Sequence, residues 1–103
     1  MARIRTTPGE VLREEFMLPY RLSANALAIE LGVPATRIGD ILRAEHPRAV
    51  TADTAMRLGR YFGTSAEFWL NLQSSYDLSI AAAEHGPEIE RKVHPREMAD
   101  AAD

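Results

Sequence analysis

The feature that most constrains this chain is segment 22–43, LSANALAIELGVPATRIGDILR, where two short amphipathic stretches flank Gly32-Val33-Pro34. Ser23 suits a helix N-cap, and Leu27, Ala28 and Leu31 line one apolar stripe behind it. Gly32 supplies a left-handed stop. A second stripe, Ile38, Ile41 and Leu42, follows on a helix expected over residues 35–43. Two helices joined by a turn this short must brace each other at a fixed crossing angle, which is the requirement of a helix-turn-helix. Ala28 falls where they approach most closely, and a small side chain is needed there.

The rest of the chain reads as further short helices. Thr7-Pro8-Gly9-Glu10 is a capping box with proline at the first helical position, opening a helix to about Met17 whose stripe is Leu12 and Phe16 and which Pro19 should end. Thr51 should cap a fourth helix, with Asp53 in its first turn and Ala55, Leu58, Tyr61 and Phe62 at helical spacing, closed by Gly63. Thr64-Ser65-Ala66-Glu67 is a second capping box and opens a fifth helix, expected over residues 65–83 and stopped by Gly86-Pro87. Residues 87–103 are polar; a short strand at 88–94 and a frayed acidic end at 97–103 are expected. The expectation is an all-α, five-helix domain over residues 7–86, with a polar C-terminal tail over 87–103 that is partly disordered. A chain of 103 residues is one domain of this kind.

The outward face of the third helix is where chemistry concentrates. With Ile38, Ile41 and Leu42 inward, Thr36, Gly39, Asp40 and Arg43 face outward and Arg37 lies on the flank. A solvated helix face usually carries long charged pairs, whereas this one carries small and hydrogen-bonding groups. That suits entry into a major groove about 12 Å wide. Thr36 fits a thymine methyl or a base edge, Arg37 guanine or a phosphate, and Arg43 the phosphate backbone. Asp40 would repel phosphate unless it accepts from cytosine or pairs internally, and pairing with Arg37 or Arg43 is the expected outcome.

Charge agrees with that placement. Of 12 basic residues only Lys92 is lysine, and arginine gives the planar, bidentate recognition of phosphate or guanine that lysine lacks. Residues 1–48 hold seven arginines against six acids; residues 49–103 hold four arginines and one lysine against nine acids. The net charge of −3 is therefore the sum of two unlike halves, with the basic half containing the helix-turn-helix. Arg3 and Arg5 form an arm suited to a minor groove or to solvent. Specific binding should rest on a few placed arginines, with weak affinity for random DNA.

At this point the residues resemble a known family. PGEVLREEFMLP, the LS-ALA-ELGV stretch, VTADTAMRLGRYFGTSAEFWLNLQ and the following YDL are similar to the HigA antitoxins, within the larger XRE/Cro-like (lambda-repressor-like) helix-turn-helix class. The resemblance spans about residues 7 to 86, and Phe68-Trp69-Leu70-Asn71-Leu72-Gln73 is its most specific run. It departs from the wider class at Pro34, where a serine or threonine cap is usual, and at Asn25, where glutamine is frequent. The resemblance implies a homodimer that binds an inverted-repeat operator in double-stranded DNA, and the lack of cysteine and of a signal-like apolar start makes a cytoplasmic location the expectation. It also implies repression of the chain's own operon and neutralisation of a HigB-like ribonuclease toxin. The candidate DNA-contacting residues are Ser23, Asn25, Ala35, Thr36, Arg37, Gly39, Asp40, Arg43 and Arg48; those for the dimer interface are Phe68, Trp69, Leu72 and Tyr76. Surplus apolar surface on the fifth helix, and an indole N–H in need of a partner, independently suit dimerisation, although Phe68 and Trp69 also suit a core. Toxin contact is expected away from the third helix, on the first helix or the acidic C-terminal portion.

Other function classes find little support. There is no cysteine, His46, His85 and His94 lack ligand-like spacing, and no glycine-rich phosphate loop is present, so catalysis, a metal site, a cofactor and a small-molecule substrate are not expected. No apolar run approaches the roughly 20 residues that cross a bilayer. Two readings stay open: a repressor that also neutralises a toxin, and a solitary XRE-type regulator with no toxin partner.

Overall fold

In the computed structural model, residues 4–97 are described, and among them every regular element is helical. The first helix, α1, opens at Pro8–Val11, widens to a π-helical turn over Leu12–Met17 and tightens to a 3-10 turn over Leu18–Tyr20. Thr7 caps it, its hydroxyl accepting from the Glu10 amide at 3.1 Å. Pro19 thus lies inside the closing turn, two residues before Arg21 takes a left-handed φ of 56°.

Helix α2 is Ala24–Leu31, α3 is Ala35–Ile41 and α4 is Ala52–Phe62. Gly32 and Gly63 close α2 and α4 in the left-handed conformation, φ 72° and 79°, as their placement after the last apolar residue requires. Thr51 is the N-cap residue of α4, yet its side chain makes no capping hydrogen bond. The cap of α5 is Ser65, accepting from the Phe68 amide, and the neighbouring Thr64 hydroxyl serves a different group.

Helix α5 runs Ala66–Lys92, so the stop expected at Gly86-Pro87 does not occur and residues 88–92 are helical, not strand. A glycine ends a helix when it turns left-handed, and Gly86 does not. Proline removes the hydrogen bond to the carbonyl four residues back and crowds that carbonyl, but here it belongs to the exposed Ala83 and water can satisfy it. The extension is then supported by a Lys92–Glu88 pair at 3.0 Å, and closed by the Val93 amide donating to Ile89. Of the acidic end expected to fray, 97–103, Glu97 is exposed and outside any helix, and residues 98–103 lie outside the described residues.

The core is one cluster centred on Leu12, Leu27, Ile38, Ile41, Leu58 and Trp69, all essentially inaccessible. Phe16 packs its ring 5.0 Å from Phe62 and 5.1 Å from Trp69, tying α1 to α4 and α5. This core holds the inner faces of α2 and α3 and leaves their outer faces in solvent.

Candidate nucleic-acid interface

The α2–α3 pair is locked from its ends inward. Ser23 Oγ accepts from the Ala26 amide at 3.0 Å, and the Val33 and Gly32 amides return to the carbonyls of Ala28 and Ile29. Pro34 opens α3 with φ −64° and no side-chain cap. Ala28, buried as expected, lets the pair close, and Arg13 of α1 donates to the Leu42 carbonyl at 2.6 Å to fix the far end of α3.

Outward from this base, Ala35, Thr36, Gly39 and Arg43 are exposed, as are Ser23, Asn25 and Arg48, while Arg37 and Asp40 are half-buried. At Gly39 an added Cβ would meet nothing within 4 Å. A glycine there lowers helix propensity by about 1 kcal/mol relative to alanine, and no contact among the described residues requires it.

Salt bridges order the charges of this face. Asp40 pairs with Arg43 at 3.2 Å and approaches Arg48 at 3.9 Å, so it is neutralised internally through Arg43 as expected. Arg43 also donates to the His46 carbonyl, where the backbone turns left-handed. Arg37 does not join Asp40. Its Nη1 donates instead to Asp53 Oδ2 on α4 at 2.9 Å, because its flanking position aims it at the first turn of that helix. The same carboxylate oxygen accepts from Arg57 Nε at 2.9 Å, and Arg57 Nη1 donates to the Leu31 carbonyl at the end of α2 at 2.8 Å. Hydrogen bonding from Arg57, and then from Arg37, holds the Asp53 carboxyl below its ordinary value of 3.8. Four guanidinium groups surround two carboxylates, and the excess is positive.

Comparison with known proteins places this geometry in context. No family model matches the chain. It is 55% identical over 74 residues to virulence-associated protein I of Dichelobacter nodosus, covering 72% of this chain and 67% of that protein. Across the curated relatives the matched region spans about two thirds of their length. A Coxiella burnetii antidote protein of a HigA family is 45% identical over 91% of this chain and 100% of its own, with a TM-score of 0.84. The structure of Pseudomonas aeruginosa antitoxin HigA with the higBA promoter is 48% identical over 89% of this chain and 98% of its own, TM-score 0.84. The chain belongs to the HigA family of antitoxins.

Within this HigA-family fold, the residues expected at a dimer interface separate. Trp69 is a core residue: it is fully buried, its Nε1 donates to Thr64 Oγ1 at 2.8 Å, and it has no surface to offer a second copy. The indole that needed a partner finds it five residues back. Phe68 keeps 37% of its surface exposed, and Leu72 and Tyr76 are half-buried.

Several residues that organise the site escaped the sequence. The amide of Val50 donates to Gln73 Oε1 at 2.7 Å, and Gln73 Nε2 donates to Asp77, so the FWLNLQ run fastens the loop after α3 to α5. Arg13 and Arg57 act through backbone carbonyls, which leave no sequence signature; the four-residue spacing of Asp53 and Arg57 was the available hint. The Arg5 amide donates to Ser79 Oγ on α5, setting the arm's backbone against that helix; Arg3 lies outside the described residues. No helix among the described residues is long and apolar enough to cross a membrane.

Proposed function

We propose that the chain is the antitoxin of a HigBA-type module, a homodimer that reads an inverted-repeat operator with α3, represses its own operon and neutralises a ribonuclease toxin. The observation that carries the DNA reading is the outer face of α3, where Thr36 and Gly39 lie open on a helix braced from both ends, with exposed Arg43 and Arg48 beyond its C-terminal end. In this reading Thr36 and Arg37 meet base edges, while Ser23, Asn25, Arg43 and Arg48 position the protein on phosphates and Ala35 and Gly39 permit close approach. Asp40, held by Arg43, offers no free charge to repel the backbone. The Pseudomonas aeruginosa relative holding a promoter supports the same assignment.

Dimerisation is assigned to α5, where Phe68, Leu72 and Tyr76 stay partly open and Leu78 is 70% exposed. Residues 7–86 then carry both DNA recognition and dimerisation. For the toxin, the side of α1 and α4 offers exposed Tyr20 and Tyr61 around a groove of about 450 Å³ that also includes Glu15, Phe16 and Phe62. Apolar surface beside an acidic side chain fits a basic protein.

Footprinting of the DNA upstream of the chain's own gene tests the reading. Protection of two inverted half-sites about 34 Å apart is expected. Affinity should fall about 10³- to 10⁵-fold between roughly 50 and 200 mM salt, as for about 6–10 phosphate contacts. Salt-independent binding, or no protected repeat, would overturn the DNA assignment. Failure of the product of a neighbouring small gene to copurify would leave a solitary regulator.

A further inference from the structure

Arg37 reaches the outer face of α3 already engaged. Its side chain is only 26% exposed, and one nitrogen, Nη1, is spent on Asp53 Oδ2 at 2.9 Å. Arginine carries five N–H donors in a rigid fork, so Nη2 and Nε, which make no hydrogen bond among the described residues, remain for a further partner while Nη1 is restrained by Asp53. Asp53 is itself fixed, since Arg57 donates to the same oxygen and is in turn tied to the Leu31 carbonyl at the end of α2. A continuous path of hydrogen bonds therefore runs from the last turn of α2, through Arg57 and Asp53 on α4, to the arginine on α3.

We propose that Asp53 is a positioning residue for DNA specificity: it holds the Arg37 fork in one orientation for its operator contact while cancelling charge that would otherwise attract any phosphate. The inference rests on the DNA-reading function proposed above. Two consequences of the same carboxylate act in opposite directions. Preorganising Arg37 removes rotamer freedom before binding, which strengthens the contact where the fork fits. Adding a negative charge beside two guanidinium groups weakens the sequence-independent attraction to phosphate. The first raises the ratio of specific to non-specific binding through Arg37; the second lowers the attraction to any duplex, and a net charge of −3 on the whole chain adds to it.

The test is a set of four proteins: the wild type, Asp53→Asn, Arg37→Ala and the double variant. Each is titrated against the footprinted operator duplex and a scrambled duplex of equal length, over a range of salt. Asparagine keeps the shape of Asp53 and removes its charge. Asp53→Asn should tighten binding to scrambled DNA by about 2- to 5-fold and reduce the specificity ratio by about 5- to 30-fold. In the Arg37→Ala background the same substitution should leave the ratio within about twofold, since sites that act as a unit are not additive. A role confined to folding predicts something else: equal changes on both duplexes, or a ratio shift that persists without Arg37, and either result overturns the proposal. Circular dichroism of each variant establishes that it is folded. Absence of operator preference in the wild type itself would instead remove the DNA-reading function and this inference with it.

Discussion

Gly9 lies in the first turn of α1 and is buried against the end of α3. A Cβ built there would overlap the Ile41 carbonyl oxygen and stand 3.0 Å from the Ile41 carbonyl carbon and 3.2 Å from Leu42 Cα. All three are backbone atoms, so no rotamer change relieves the overlap, and α1 must lift away from α3. Two effects oppose each other in Gly9→Ala. Helix propensity favours alanine by up to about 1 kcal/mol. Overpacking costs about 1–3 kcal/mol, and separating the helices stretches the 2.6 Å bond from Arg13 to the Leu42 carbonyl, a charge-assisted bond of about 1.5–3 kcal/mol. The steric side wins, for a net loss of about 2–4 kcal/mol. At about 4–8 °C per kcal/mol for a domain of this size, Tm should fall by at least about 8 °C. Gly39→Ala is the matched control, because its Cβ meets nothing within 4 Å. It should raise stability by about 0.5–1 kcal/mol and yet weaken operator binding by crowding the DNA-facing surface. Thermal and urea unfolding followed by circular dichroism measure both. A Gly9→Ala protein as stable as the wild type would refute the close α1–α3 contact.

Other substitutions probe the same framework. Thr64→Val should cost about 1–3 kcal/mol by leaving the buried Trp69 N–H unpaired, whereas Thr64→Ser should lose much less; urea unfolding separates the two. Gln73→Met removes the acceptor of the Val50 amide, so hydrogen exchange at Val50 should quicken by about tenfold or more while the amides of α2 hold their rates. Asp53 should titrate below an ordinary aspartate when followed by carboxyl carbon NMR, because Arg57 and then Arg37 donate to it. Its folded value lies below its unfolded one, so its pairing favours the folded state at neutral pH and is lost as pH falls through the lowered value. A titration at or above 3.8 would contradict the pairing.

Much of this molecule was legible in its residues because the signals were local. The capped stripe of α2 ends at Gly32 where the sequence places it, and α4 fills the interval between Thr51 and Gly63. The outward set on α3 followed from helical periodicity alone. What periodicity does not encode is which partner a long side chain selects across the fold. Arg37 crossed to Asp53, sixteen residues away, although Asp40 was nearer in sequence. Trp69 illustrates the same limit, since an aromatic beside Phe68 reads equally as core or interface until the Thr64 hydroxyl is seen beneath it. At Gly86-Pro87 two strong stop signals failed together. Neither residue is held by tertiary structure, and an exposed helix followed by Glu88 and Lys92 at favourable spacing continues through them.

The claim on which the rest depends is that α3 reads DNA through its outer face. Fluorescence anisotropy of a labelled operator duplex, with wild type and the Thr36→Ala/Arg37→Ala variant measured at one salt concentration, tests it most directly. Loss of one or two base contacts, at about 1–3 kcal/mol each, should weaken operator binding by about 5-fold to about 10⁴-fold, with a far smaller change on scrambled DNA. Operator affinity unchanged in a folded double variant would contradict the claim.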